Sequence, residues 1–394
     1  MRADRTIELK ASLIVSFAAA MTACGGDGSG SSNGATSSGA SAFADVPVVV
    51  DNQEVVAVNA TVDANLKNPW GIATAPGLPF WIADNNSNLT TLYSGTGTIE
   101  TQAVTGTASV GVSIPASATE GAANPTGAVF NGNGGFTIAT SSGEETALFI
   151  FDGEAGTIAA WAKDSGATAT TVYDDGIVNG ADHAVYKGLA IGSVSGANYI
   201  YATDLHNNKV DVFDSTFAKP QAMQGKFIDP NLPSGFAPFG IAAINGQLLV
   251  TFAKQDAAKH DEATGAGLGY VDVFDFSGNF VSRFASAGAL NAPWGIALAP
   301  SGFASLAGNV VIGNFGDGTI NVFTPQGTAL ATSVGSLTSG GAALAIPGLW
   351  SLTFGNGDID KPATTLFYTA GLANQTDGVF GTITVSNVPT ITPY

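Results

Sequence analysis

A repeat of about 55 residues runs through most of this chain and limits what the chain can fold into. Its recurring element is NPWGIATAP (68–76), NPTGAVF (124–130), VYKGLAIGS (185–193), APFGIAAI (237–244), APWGIALAP (292–300) and IPGLWSLTFG (346–355). The intervals are 56, 61, 52, 55 and 56 residues, counted along Trp70, Thr126, Lys187, Phe239, Trp294 and Trp350. Six copies of this length indicate an array of small units that pack on one another.

Each copy predicts several short strands. The element is followed by a second apolar run, which reads FWIAD, FTIAT, YIYATD, LLVTFA, NVVIGN or LFYTA. A third run alternates, as in KVDVFD (209–214), YVDVFD (270–275) and TINVFT (319–324). Short β-branched and aromatic runs between Gly, Asn and Asp are typical of strands joined by tight turns. We therefore predict an all-β fold, a six-bladed β-propeller whose small sheets stand around an axis.

Composition excludes several classes of protein. Hydrophobic residues make up 45% of the chain, charged residues 11%, and 51 of the 394 residues are Gly. This glycine-rich profile excludes a helical bundle or a coiled coil, which need a surplus of good helix formers. The net charge of −18 excludes a nucleic-acid partner, because a phosphate backbone would repel the chain and no Lys/Arg cluster offsets that repulsion.

The repeat resembles a known type of propeller. The run YATDLHNNKVDVFD (201–214), followed by APFGIAAI, is similar to the NHL-type repeat of six-bladed propellers. More closely, NPWGIATAPGLPFWIADNNSNLTTLYSGTG (68–97), APWGIALAP, GNFGDGTINVF and GLWSLTFGNG resemble a family of exported bacterial NHL-like propellers of unknown function. The resemblance covers 45–394. It implies the fold and no particular activity.

The ends of the chain predict how the ring closes. The last repeat supplies apolar runs at 348–355, 365–370 and 379–385 and then ends, while VPVVVDNQEVVAV (46–58) precedes the first repeat. An unpaired sheet edge invites aggregation. We therefore expect the N-terminal run to complete the last blade.

The N-terminus is typical of an export signal. Basic residues precede a short stretch of apolar and small residues, 11–23, which is too short to span a bilayer. The sequence Met-Thr-Ala-Cys that ends at Cys24 resembles a bacterial lipobox, and Gly25 after it resembles an outer-membrane sorting signal. Ordinary cleavage near Ala23 is the alternative.

These features predict three segments and a location. They are a lipoprotein signal peptide (1–23), a Gly/Ser-rich linker with a lipidated Cys24 (24–42) and the propeller (43–394). Acyl chains on Cys24 would be the only link to a membrane. The expected location is the bacterial cell envelope, as an outer-membrane lipoprotein.

Strand order places a candidate ligand site at one mouth of the axis. If the repeated element forms the innermost strand, two sets of loops open on the same face. The first set contributes Trp70, Tyr186, Lys187, Phe239, Trp294 and Trp350. The second contributes Asp84, Asn85, Ser141, Asp204, His206, Lys254, His260 and Asn314. Aromatic rings with a few polar groups suit a ligand funnel. The alternative, which is the more common role of a single aromatic ring, is packing between adjacent blades.

Metal sites remain open alternatives. His183, His206 and His260 could share a zinc ion, but they lie on different loops. Asn356, Asp358 and Asp360 could offer oxygens to Ca²⁺, or simply form a solvated loop. The sequence identifies no cofactor. The candidate that it leaves open is Ca²⁺ or another divalent metal.

The sequence supports three classes of function. The preferred interpretation is an envelope lipoprotein that binds a small molecule, glycan, peptide or envelope protein on its axial face. The alternatives are a metal-dependent propeller enzyme, of the gluconolactonase or lyase kind, and a structural scaffold. Four titratable residues would serve as acid/base groups in an enzyme, or as a salt-bridged rim in the other two classes: Lys187, Lys254, Asp204 and Asp256.

Overall fold

The computed structural model describes residues 42–51, 60–104, 107–109, 111–176 and 183–386. All of them belong to one compact unit, Ser41–Tyr394. The predicted signal peptide, Cys24 and the linker up to residue 41 lie outside the described residues. Within the described ranges, no helix is both long and apolar enough to cross a membrane.

Six small sheets form six blades, so the predicted propeller is confirmed. In each blade the strands follow one another from the axis outward. Blade 1 comprises Pro69–Ala73, Phe80–Asp84, Leu89–Tyr93 and Val112–Ser113. Blade 2 comprises Pro125–Phe130, Phe149–Gly153, Thr157–Trp161 and Thr170–Asp174. Blade 3 comprises Tyr186–Val194, Ala197–Asp204 and Lys209–Asp214.

The remaining blades follow the same order. Blade 4 comprises Phe236–Ile244, Gln247–Gln255, Gly269–Phe274 and Phe280–Ser286, with Glu262–Ala263 paired to the end of its second strand. Blade 5 comprises Pro293–Leu298, Val310–Asn314, Ile320–Gln326 and Ala329–Ser336. Blade 6 comprises Leu349–Phe354, Leu366–Ala370, Val379–Ser386, Ala42–Val50 and the short parallel strand Thr61–Val62.

Short elements lie outside these sheets. Three are two-stranded ribbons, Gln102–Val104 with Thr107–Ser109, Thr137–Thr140 with Gly143–Thr146, and Thr338–Ser339 with Ala342–Ala343. The described helical turns are Lys163–Ser165, Gln221–Met223 and Leu372–Gln375.

The repeated element forms the innermost strand of every blade, and these strands contact one another around the ring. The glycine of the element is needed for this approach. A Cβ atom on Gly240 would lie 2.1 Å from the carbonyl oxygen of Trp294, and one on Gly295 would lie 2.5 Å from that of Trp350. A larger residue at these positions would push the neighbouring blade outward, because real Cβ atoms do not approach backbone so closely.

The first strand closes the ring as expected. Ala42–Val50 runs antiparallel to Val379–Ser386, with Val50 opposite Val379. Its Phe43 is buried against Phe303 of blade 5, at 5.3 Å between ring centroids. The strand begins before the predicted 46, and residues 52–58 of the predicted run lie outside the described residues.

The second strand predicted for blade 2 is wrong. FTIAT (136–140) lies in a separate hairpin, Thr137–Thr140 with Gly143–Thr146, and Ser141 falls in its turn instead of at the axial mouth. The second strand of the blade is Phe149–Gly153, which is buried throughout, whereas Thr137–Thr140 is mostly exposed. A strand covered on both faces favours a continuous apolar run such as FIF over the alternating TIAT.

Candidate functional site

An aromatic plug fills the axis. Trp70, Phe239, Trp294 and Trp350 occupy equivalent positions in four innermost strands, and all are buried. The rings of Trp70 and Trp350 stack with centroids 3.4 Å apart, and Trp294 meets each of them edge-on at 5.9 Å. The pairing of the first two strands slips at this position in each of the six blades. Such bulges re-aim a side chain, here toward the axis.

The two remaining equivalent positions carry polar side chains. The Thr126 hydroxyl lies 2.9 Å from two acceptors, Asp152 Oδ1 and the carbonyl oxygen of Tyr186. Lys187 is fully buried, and its ammonium lies 5.3 Å from the centroid of the Trp70 ring. The plug is therefore apolar at the positions contributed by blades 1, 4, 5 and 6, and polar at those contributed by blades 2 and 3.

A polar cavity of about 430 Å³ opens on the face where the chain enters the innermost strands. Five of the six blades contribute to it. Its lining consists of Asn68, Asn85, Asn86, Glu120, Ala122, Asn124, Glu154, Ala155, His183, His260, Asp261 and Gln375. None of the plug aromatics is among them, so the predicted aromatic funnel is replaced by amides, carboxylates and imidazoles.

Lys187 lies between two carboxylates of the cavity. Its ammonium bonds to Glu154 Oε1 and lies 3.1 Å from Asp261 Oδ1. His260 Nδ1 lies 3.0 Å from the same oxygen of Asp261. The other oxygen of Glu154 accepts a hydrogen bond from Asn85 Nδ2 at 2.9 Å. Five side chains from four different segments thus form one cluster of charged and polar groups.

The charges of this cluster reinforce one another. Burial acts to lower the pKa of Lys187, but the carboxylates of Glu154, Glu262 and Asp261 outweigh it and raise that pKa above its ordinary value. The hydrogen bond from His260, together with the charge of Lys187, holds the pKa of Asp261 well below its usual range. The same hydrogen bond raises the pKa of His260. Lys187 and Asp261 are therefore both charged at neutral pH.

A hydrogen-bonded relay joins the plug to this cluster. Trp350 Nε1 donates to Asn68 Oδ1 at 3.0 Å, and Asn68 Nδ2 reaches Asn85 Oδ1 at 3.4 Å. Asn68 has a φ of 46° and Asn124 a φ of 47°, a left-handed conformation that Asn tolerates better than most residues. This conformation immediately before a Pro aims both amides at the mouth of the axis.

The structure separates the sequence-predicted residues into groups. Asn85 and His260 line the cavity, and Lys187 contacts its lining. His206 and Lys254 are partly exposed and do not line it; Lys254 Nζ instead donates to the carbonyl oxygen of Ser234 at 3.1 Å.

The other predicted polar residues are buried at strand ends. Asp84 Oδ2 accepts from the backbone of Thr91 at 3.0 Å, and Asp204 Oδ1 from that of Val185 at 3.2 Å. Asn314 Oδ1 accepts from the backbone of Asn291 at 3.1 Å, and the Tyr186 hydroxyl donates to Asp211 at 2.9 Å. These contacts hold strands and turns in place.

The proposed metal ligands are only partly brought together. His183 and His260 line the same cavity, but His206 does not. Asp358 and Asp360 instead accept hydrogen bonds from the backbone of Gly77 and Gly95, and Lys361 pairs with both carboxylates. Backbone amides and a lysine therefore take the oxygens that were considered for Ca²⁺.

A different group has the spacing of a metal site. One atom each from Glu154, His260 and Asp261 lie within 4.8 Å of one another. Glu154 was not predicted because the second strand of blade 2 was assigned to 136–140. Asp152 stands near the end of the second strand of its blade, as Asp84 and Asp204 do in theirs. This alignment would have placed Glu154 in a turn that faces the mouth of the axis.

Comparison with solved structures returns other propeller proteins. Virginiamycin B lyase from Staphylococcus aureus matches with 14% identity and a TM-score of 0.47, over 87% of this chain and 99% of that one. The soluble aldose sugar dehydrogenase of Escherichia coli matches with 13% identity and a TM-score of 0.48, over 87% and 100%. At such identities the likeness concerns the fold only. The number of blades in this chain follows from its own sheet topology.

Sequence comparison finds viral relatives. No family model matches the chain. An uncharacterised protein of Acanthamoeba polyphaga mimivirus is 29% identical over 348 residues, which are 87% of this chain and 86% of that protein. Another from the same virus is 30% identical over 328 residues, 82% of this chain and 76% of that protein. The bacterial and exported character implied by the resemblance stays a prediction. The chain belongs to the same protein family as the mimivirus protein to which it is 30% identical.

Proposed function

We propose that this protein is a lipid-anchored protein of the bacterial cell envelope whose propeller binds a small polar molecule in the axial cavity. The anchor is supported by the lipobox-like sequence that ends at Cys24. Binding is supported by one observation above all, the convergence of polar side chains from five blades on a cavity of about 430 Å³. Cavities of this size hold small ligands.

The lining favours a ligand rich in hydroxyl groups, such as a glycan fragment. The amides of Asn86 and Gln375 and the carboxylate of Glu120 are exposed or partly exposed in the lining, and they offer both donors and acceptors around one opening. A hydroxyl group both donates and accepts, so it can pair with either. The aromatic rings are buried below, which makes a large flat apolar ligand a poor fit.

Isothermal titration with a panel of mono- and disaccharides tests this proposal. Asn85→Ala and His260→Ala should abolish the binding of any sugar that the wild type binds, because both side chains line the cavity. His206→Ala is the matched control, since His206 is partly exposed outside the lining. Binding that survives both lining substitutions would place the ligand elsewhere.

A second candidate is a metal-dependent hydrolase or lyase. The observation in its favour is the spacing of Glu154, His260 and Asp261, whose oxygen and nitrogen atoms could hold a divalent ion. The observation against it is the ammonium of Lys187, which contacts two of the three groups. Metal analysis of the purified protein separates the two functions, because only the enzyme needs a stoichiometric ion.

A further inference from the structure

We infer that Lys187 supplies the cation of the axial cavity and thereby keeps divalent metal ions out of it. This makes Lys187 a specificity-determining residue, whichever polar ligand the cavity takes.

The ligand set beside Lys187 is suited to a metal. Glu154, His260 and Asp261 offer two carboxylate oxygens and one imidazole nitrogen within 4.8 Å of one another. Zn²⁺ and Mn²⁺ accept such mixed sets. Without a cation, two carboxylates this close together would repel each other.

The ammonium of Lys187 already supplies the positive charge that separates these two carboxylates. It bonds to Glu154 and lies 3.1 Å from Asp261 Oδ1, and the whole side chain is buried. A divalent ion held by the same carboxylates would stand next to this fixed positive charge. Asp261 and His260 are exposed to water, but charges only a few ångströms apart repel each other appreciably even near the surface of a protein.

The lysine is also held in place. Trp294 Nε1 donates to the carbonyl oxygen of Lys187 at 2.8 Å, and the Trp70 ring lies 5.3 Å from the ammonium. The first contact fixes the backbone of Lys187, and the second places an aromatic ring beside its ammonium. A metal ion would therefore have to move a side chain that is buried and held in place.

Packing does not explain a lysine at this position. The equivalent residues of four other blades, Trp70, Phe239, Trp294 and Trp350, are aromatic, and they fill the axis without a charge. A buried ammonium is costly unless it is paired. The position with the charge is the one that faces Glu154 and Asp261.

The test is titration of the full chain, purified in detergent, with Mn²⁺ and Zn²⁺ in a calorimeter. Lys187→Met keeps the length of the side chain and removes the charge. It should bind at least one of these ions about tenfold or more tighter than the wild type. Lys254→Met is the matched control and should behave as the wild type, because Lys254 pairs with Ser234 outside the cluster.

Adding Glu154→Gln to Lys187→Met should remove the gained affinity, which assigns it to this cluster. Circular dichroism reports whether each variant folds, and Lys187→Gln replaces the methionine variant if the latter does not. Wild-type binding as tight as that of the folded variant would overturn the inference. So would a folded variant that binds neither ion.

Discussion

Trp350 donates a hydrogen bond from its indole nitrogen to Asn68 Oδ1 at 3.0 Å, and both residues are buried. Trp350 belongs to the plug and Asn68 to the cavity lining. The bond fixes which way the Asn68 amide faces, so that its nitrogen points to Gln375 Oε1 at 3.1 Å and to Asn85. Packing on the axis thus sets the orientation of groups that a ligand would meet.

Replacing Trp350 with Phe should separate these two roles. Trp350→Phe keeps an aromatic ring but leaves Asn68 Oδ1 without its donor, so we expect a loss of about 1–3 kcal/mol in the free energy of unfolding beyond the lost ring area. Trp70→Phe is the matched control, because the buried Trp70 Nε1 has no hydrogen-bond partner among the described residues. Urea denaturation measures both. Equal losses would show that the bond to Asn68 contributes nothing.

The closing strand gives a second prediction. Deleting 42–50 removes the partner of Val379–Ser386 and exposes that edge, so the melting temperature should fall sharply and aggregation should increase. Deleting 25–40 removes Gly/Ser-rich sequence that cannot bury much apolar area, and the melting temperature should stay unchanged. Scanning calorimetry of both deletions is the measurement. If both melt at the same temperature, the closing strand does not stabilise the ring.

Asp152 makes stability depend on pH. Burial raises the pKa of Asp152 to about 7, and its Oδ2 atom has no hydrogen-bond partner among the described residues. In the unfolded chain this carboxyl ionises near its ordinary pKa of about 4. Between these two pKa values the folded protein holds a proton that the unfolded chain releases. The free energy of unfolding should therefore fall as the pH rises through this window.

Asp152→Asn should flatten this dependence. We expect the wild type to lose roughly 1–3 kcal/mol more than the variant between about pH 5 and pH 7. Burial also raises the pKa of Glu262 and of Asp272 to about 7, but both residues are present in wild type and variant, so the difference isolates Asp152. Urea denaturation at several pH values provides the curves. Parallel curves for the two proteins would contradict the assignment.

The fold was predictable because every repeat carries the same local information. The apolar inner strand recurs in all six repeats, and the glycine that allows close approach recurs in five of them, with Ser351 in the sixth. Blade number and strand order follow from this repetition, whereas closure follows from the two ends of the chain. The error in blade 2 arose where two runs of strand-like residues compete, FTIAT and FIFDG. Only burial on both faces distinguishes Phe149–Gly153 as the blade strand.

The site was less predictable because it depends on differences between repeats. The aromatics were predicted either to line an open mouth or to pack between blades. Six inner strands converge so closely that these large rings fill the axis and are buried. Asp261 was overlooked beside His260, although both lie on the segment that follows the second strand of blade 4. Contacts between blades, such as Lys187 with Glu154, have no local signature in a sequence.

The proposed anchor predicts where the protein is found. Cys24 is the one cysteine in the chain, so Cys24→Ser removes every site for thiol acylation. Several acyl chains bind a membrane stably because each buried methylene contributes roughly 0.8 kcal/mol, and without them the propeller should move from the membrane fraction to the soluble fraction. Mass spectrometry of the N-terminal peptide should show acyl groups on the wild type only. Ser31→Ala, a change within the linker, should leave fractionation unaltered. A wild type that is soluble and cleaved near Ala23 would replace the lipoprotein with an ordinary secreted protein.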